Sequence, residues 1–187
     1  MIIKSLKRIQ RRIKKLLFPE NIAEIYNIEY AKSLGVIVGN NCRFFSTSFS
    51  TEPFLIEIGD HVTITDGVQF ITHDGGVWVF REQYPDIELF GRIKIGSNVF
   101  IGLNSIILPN TEIADNCIIA AGSVVKGKYE PNGIIAGVPA KRISGIEEYY
   151  EKNKEKFTYF RSHKNKISLI KEIPYGVLSK NAKGNCN

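Results

Sequence analysis

An aliphatic residue at every sixth position from Ile95 to Val125, with two further columns in step beside it, predicts an all-β chain wound as a parallel β-helix of hexapeptide repeats. The aliphatic column is Ile95, Ile101, Ile107, Ile113, Ile119 and Val125. Four places after each aliphatic come Val99, Ser105, Thr111, Cys117 and Ser123, small enough to sit inside a coil beside a larger neighbour. Three places after it come Asn98, Asn104, Asn110, Asn116 and Gly122, the residue types that best tolerate left-handed backbone angles at a tight corner. Neither a helical nor a simple strand period produces this spacing, but three short flat strands per turn do. Positions 18 apart then stack, Ile95 under Ile113, Ile101 under Ile119 and Ile107 under Val125.

The same grammar occurs earlier, in VGNNCR (38–43) and in IGDHVT, ITDGVQ and FITHDG (58–75). Val38 and Ile58 lie 20 apart, which predicts a two-residue insertion near Glu52 and Pro53. Register is lost again over residues 76–94, predicted to be a loop thrown out from the coil wall; long loops inside compact domains usually carry function. The last unit is IIAGVPAKRI (134–143), after which Ser144 and Glu147 read as a capping box opening a polar helix to about residue 170. At the other end, Ile2, Leu6, Ile9, Ile13, Leu16 and Leu17 share one face of a predicted helix over 1–17, with basic residues opposite. That helix has two open readings: packing against the coil or a neighbouring subunit, or contact with an anionic membrane surface. The chain thus divides into an N-terminal helix and lead-in (1–34), a β-helix domain with its loop (35–143), and a C-terminal helix and tail (144–187).

The net charge of +6 resides in residues 1–20, which hold seven basic side chains and one acid; the remainder is neutral. Basic residues spread over the body and interleaved with aromatics would signal nucleic-acid binding, and that pattern is missing. Three cysteines, Cys42, Cys117 and Cys186, have no metal-ligand spacing, and the N-terminus has no continuous apolar run, which predicts a reduced, cytoplasmic protein, peripheral at the inner membrane face if the basic helix contacts lipid.

The repeat of 95–125, the closing IIAGVPAKRI and a histidine just before a long excursion resemble the hexapeptide-repeat acyltransferases, and within them the maltose and galactoside acetyltransferases and those that O-acetylate capsule and lipopolysaccharide sugars. The resemblance covers roughly residues 35–143. It implies a left-handed coil, a homotrimer with active sites between subunits, acetyl-coenzyme A as co-substrate without a metal, and a sugar or polysaccharide hydroxyl as acceptor.

Acyl transfer to a hydroxyl needs a base near the acceptor proton, and histidine suits that task at neutral pH. His163 falls among lysines near the C-terminus, and His61 occupies a corner column in a regular unit. His73 occupies the same column immediately before the excursion, where the resemblance places the catalytic histidine. Asp74 is the nearest candidate for orienting its ring, or equally a turn residue. The resemblance further implies an asparagine on the preceding coil; counting back reaches Phe45, which cannot donate, with Ser46 and Thr47 beside it. Trp78, Arg81 and Tyr84 in the excursion are candidates for the acceptor, since aromatic platforms beside polar groups suit a sugar, or they anchor the loop. For the donor, the resemblance implies a path past Gly102, Leu103, Ala120 and Ala121 with phosphates near Lys126, Lys141 and Arg142. Cys42 and Cys117 fall in the small core column, where a thiol is inert packing, so direct transfer is expected over an acyl-enzyme. The rival functions are N-acetylation of an amino-sugar nucleotide, a zinc-dependent carbonic anhydrase, for which the coils lack three histidines, and a non-catalytic scaffold.

Overall fold

A computed structural model of the protein describes residues 22–157, and there the repeat is wound as its spacing predicts. Fourteen strands follow one helix, α1 (Ile22–Ser33): β1 (Ile37–Val38), β2 (Arg43–Phe44), β3 (Ile56–Ile58), β4 (Thr63–Ile64), β5 (Gln69–Phe70), β6 (Ile93–Ile95), β7 (Phe100–Ile101), β8 (Ile106–Ile107), β9 (Thr111–Ile113), β10 (Ile118–Ile119), β11 (Val124–Val125), β12 (Lys128–Tyr129), β13 (Gly133–Gly137) and β14 (Ala140–Gly145). A second helix, α2 (Ile146–Asn153), follows β14. The strands form three walls, in the orders β1-β3-β6-β9-β12, β14-β13-β10-β7-β4-β2 and β11-β8-β5. All pairs are parallel except the closing β13–β14 hairpin. Ile95 pairs with Ile113, Ile101 with Ile119 and Ile107 with Val125, the three stacks read from the sequence.

The inward column is fully buried and forms the core, with Phe44, Phe49 and Phe70 packed together at one end and isoleucines along the rest. Turns between walls are taken by Asn41, His61, Asn98, Asn104, Asn110, Asn116 and Asn132, with φ between 54° and 62°, and by Gly67 and Gly122 at 71°. His61 is therefore a corner residue, its Nδ1 on Asn98 Oδ1 at 2.8 Å.

The outward faces differ. The first wall carries Glu57, Lys94, Glu112 and Lys128 in register, a ladder of alternating charge in which Lys128 meets Glu112 at 2.9 Å. The six-stranded wall presents Phe100 and Ile118, and the three-stranded wall Ile106 and Val124, all apolar and incompletely covered.

Helix α1 was not anticipated within the lead-in. It closes the first coil: Ala31 is buried in the core, Asn27 Nδ2 donates to the Phe44 carbonyl at 2.8 Å, and Glu24 meets Arg43 at 3.0 Å. Its end is signalled by Gly35, whose φ of 96° only glycine adopts readily.

The predicted capping box gives way to the hairpin. Ser144 lies inside β14 opposite Ile134, because the final unit folds back on itself, and the helix begins at Ile146. The chain divides into two compact units, Met1–Ile146 and Glu147–Asn187. In the second, α2 leads into a short 3₁₀ turn at Lys154–Lys156, with Tyr150 and Phe157 rings 5.6 Å apart. The predicted helix over 1–17, the predicted extension of the C-terminal helix beyond 157, and His163 lie outside the described residues. Among the described residues no helix is long and apolar enough to cross a membrane.

Candidate active site

The coil insertion falls near Glu52 and Pro53, as the spacing predicts, and takes the form of a 3₁₀ turn at Pro53–Leu55. Just before it Ser50 is left-handed, with φ 62°, which swings Thr51 and Glu52 up against the next coil. Glu52 Oε2 lies 3.0 Å from Nδ1 of His73 and accepts from the Thr72 hydroxyl at 2.7 Å, while Oε1 accepts from Thr51 at 2.6 Å. Thr51 Oγ1 is also 3.2 Å from His73 Nδ1. The Glu52 carboxyl is held below its ordinary value, first by the Thr51 hydroxyl and then by Thr72 and His73, against some burial. A carboxylate at Nδ1 requires a proton there, so the neutral ring carries its lone pair on Nε2.

His73 is not the corner residue its column suggests. It bridges Phe90 in antiparallel fashion, Asp74 N–H donates to the Leu89 carbonyl at 2.8 Å, and Gly91 N–H donates to the Thr72 carbonyl at 2.7 Å. The excursion thus starts at Asp74 and is closed at its base by residues 89–91, a few residues earlier at each end than the loss of register indicates. Asp74 has the turn role and not the orienting one: its Oδ1 accepts from Gly76 N–H at 2.9 Å and caps the 3₁₀ helix Gly75–Phe80. The partner of His73 comes instead from 21 residues upstream.

Trp78 stands 73% exposed on that 3₁₀ helix, with the Arg81 guanidinium 5.8 Å from its ring centroid and ion-paired to Glu88. Tyr84 lines a separate hollow with Gln83, Pro85, Asp86 and Ile87. Ser46 is buried, its hydroxyl donating to the Val68 carbonyl at 2.6 Å, so it is not available to an acceptor.

Gly102, Leu103, Ala120 and Ala121 come together in an open apolar groove of about 430 Å³ on the six-stranded wall and its corner, with Phe45, Thr65, Asp66, Phe100, Ile118 and Ile119. A Cβ on Gly102 would lie 2.5 Å from Ala121 N, so only glycine keeps the groove floor flat. Lys141 pairs with Ala136 on the closing hairpin, and its side chain and that of Lys126 are exposed. Arg142 departs from the reading: its guanidinium donates to the carbonyls of Pro131 and Asn132, both at 3.1 Å, which latches the hairpin.

Cys117 is buried and Cys42 partly so, and burial raises both thiols above their ordinary value, the opposite of an activated nucleophile. No group of three metal-ligating side chains occurs among the described residues.

His73 follows the three-stranded wall and faces the edge towards the charged wall, whereas the groove lies at the edge between the six- and three-stranded walls. Within one chain the width of the three-stranded wall separates them.

The chain belongs to the hexapeptide-repeat acyltransferase family: a model described as bacterial transferase hexapeptide (six repeats) matches residues 92–127, and the relatives that match over most of the chain include named acetyltransferases. The chain is 49% identical over 170 residues to Protein CapG of Staphylococcus aureus, across 86% of this chain and 96% of that protein. It is 34% identical over 131 residues to the galactoside O-acetyltransferase of Escherichia coli (strain K12), covering 68% of this chain and 61% of that one. A crystal structure of a hexapeptide-repeat-containing acetyltransferase from Vibrio cholerae matches the fold with a TM-score of 0.54 at 21% identity, over 78% of this chain and 93% of that one. Family membership implies that the parallel coil is left-handed.

Proposed function

We propose that this acyltransferase moves an acetyl group from acetyl-coenzyme A directly to a hydroxyl of a sugar or polysaccharide, with His73 as general base. The observation that carries the reading is the anchored ring of His73, held at Nδ1 by Glu52 at the foot of an aromatic excursion. Nε2 takes the proton of the acceptor hydroxyl as its oxygen attacks the thioester carbonyl. The C–S bond then breaks, and the departing thiolate receives that proton from the ring. Glu52 steadies the imidazolium between the two transfers. Relationship to a galactoside O-acetyltransferase favours oxygen and sugar over other acceptors, and exposed Trp78 beside Arg81 suits a ring with apolar faces and a polar rim.

The pantetheine arm lies along the groove past Gly102, Leu103, Ala120 and Ala121, with its phosphates towards Lys126 and Lys141. Because His73 and that groove occupy different edges, the complete site forms between neighbouring subunits of a homotrimer. The apolar outward faces of the six- and three-stranded walls suit the contact, and the charged ladder suits solvent. Free Cys42 and Cys117 suit a reducing, cytoplasmic setting.

A panel of sugar and amino-sugar acceptors with acetyl-coenzyme A, read by thiol release, tests the proposal. Turnover with hydroxyl acceptors is expected. Transfer confined to amines would replace it with the N-acetyl reading, and absence of saturable coenzyme A binding with the scaffold reading.

A further inference from the structure

One residue per coil follows the strand of the six-stranded wall: Phe45, Thr65, Gly102, Ala120 and Ala136, stacked by the register of β2, β4, β7, β10 and β13. Four of the five are small. Phe45 stands at the outer end, 41% exposed, lining the groove, with the Arg43 guanidinium 5.2 Å from its ring centroid. At the opposite end Ala136 pairs with Lys141. The column therefore runs from Ala136, paired with Lys141, to the aromatic ring of Phe45, which closes the groove at that end.

The level of the reacting carbon along this column follows from symmetry. His73 belongs to the same coil as Thr65, both lying between β3 and β6. Rotation about an axis parallel to the coil leaves every residue at its own height, so in the homotrimer proposed above His73 of the partner subunit would meet the groove between the levels of Thr65 and Gly102. Phe45 lies one coil beyond Thr65, about 4.8 Å along the axis. Non-bonded carbons need about 3.5–4.0 Å between centres. That interval holds a methyl group and little more.

We infer that Phe45 sets the acyl chain length: the thioester carbonyl sits beside Thr65 with its methyl group against the Phe45 ring, and propionyl or butyryl groups collide with it. This rests on the donor path and the homotrimer proposed above. A single methylene in an apolar pocket is worth roughly 10- to 200-fold in discrimination.

The test compares kcat/KM for acetyl-, propionyl- and butyryl-coenzyme A in the full chain and in F45A and F45L, each checked for a native thermal transition. The expected result is a butyryl-to-acetyl ratio at least tenfold higher in F45A, with F45L in between. Should F45A fail to fold, the F45L ratio alone decides. A native chain active on acetyl-coenzyme A whose ratio is unchanged in the folded variants overturns the stop and leaves the donor path standing. A native chain that shows no saturable binding of coenzyme A by titration calorimetry overturns the donor path, and the stop with it.

Discussion

Replacing Glu52 by glutamine keeps the side chain's size and removes the charge facing His73. In the proposed mechanism the imidazole becomes a cation, and the carboxylate oxygen lies 3.0 Å from Nδ1. The His73 side chain is 41% exposed, so solvent screening is substantial. An effective dielectric constant of about 40–80 gives about 1.4–2.8 kcal/mol for unit charges at that separation. At about 1.4 kcal/mol per tenfold, E52Q is expected to lose roughly one to two orders of magnitude in kcat. The substituted amide also has an N–H₂ to place. Turned towards His73 it favours the other tautomer and takes the lone pair from Nε2, which deepens the loss. Glycine at position 52 with added formate returns a carboxylate to the vacated space and is expected to restore part of the rate, which a purely structural role for Glu52 would not allow. The assay is thiol release from acetyl-coenzyme A at saturating acceptor. An E52Q rate within twofold of the native enzyme would refute the reasoning.

Glu52 also gives an acid-stability prediction: because its carboxyl is held below the ordinary value, its contribution to folding is complete above the usual glutamate range of about 4.3 and is lost as pH falls through the lowered value, so thermal unfolding of native and E52Q proteins should differ at pH 6 and converge in strong acid. His73→Ala is expected to cost roughly two to four orders of magnitude in turnover while titration calorimetry finds coenzyme A binding retained. Gly102→Val places a side chain 2.5 Å from Ala121 N and 2.8 Å from the Ile119 carbonyl oxygen; a stability loss of about 1–3 kcal/mol, read as a Tm lower by several degrees, and weakened coenzyme A binding should follow. Asn110→Val at a φ of 62° should cost about 1–2 kcal/mol by denaturant unfolding, whereas Asn110→Gly should come close to the native value.

The coil was legible because each of its columns answers to a different constraint: apolar volume at Ile101, small size at Ser105, left-handed backbone at Asn104. Errors arose where a local pattern competed with a tertiary partner. Ser144 and Glu147 satisfy a capping box in sequence, yet Ser144 lies opposite Ile134 in a hairpin whose pairing no local motif declares. Arg142 reads as a free cation until the carbonyls left over at Pro131 and Asn132 claim it. Asp74 is next to His73 in the chain, yet its carboxylate accepts from the Gly76 N–H. Glu52 could have been singled out, since the length of the insertion marks its neighbourhood; that an extra turn of chain brings a carboxylate to the following coil is a consequence of stacking, which spacing alone does not convey.

The placement of His73 and the groove on separate edges has a genetic consequence. In the proposed homotrimer, two chains, each dead for a different reason, can revive one another when assembled together. A subunit lacking the imidazole still offers an intact groove, and one with Gly102 blocked still offers its imidazole. In an equimolar random mixture about one quarter of the clefts would unite both intact halves. Alleles of this protein that are null alone should therefore complement in a cell carrying both.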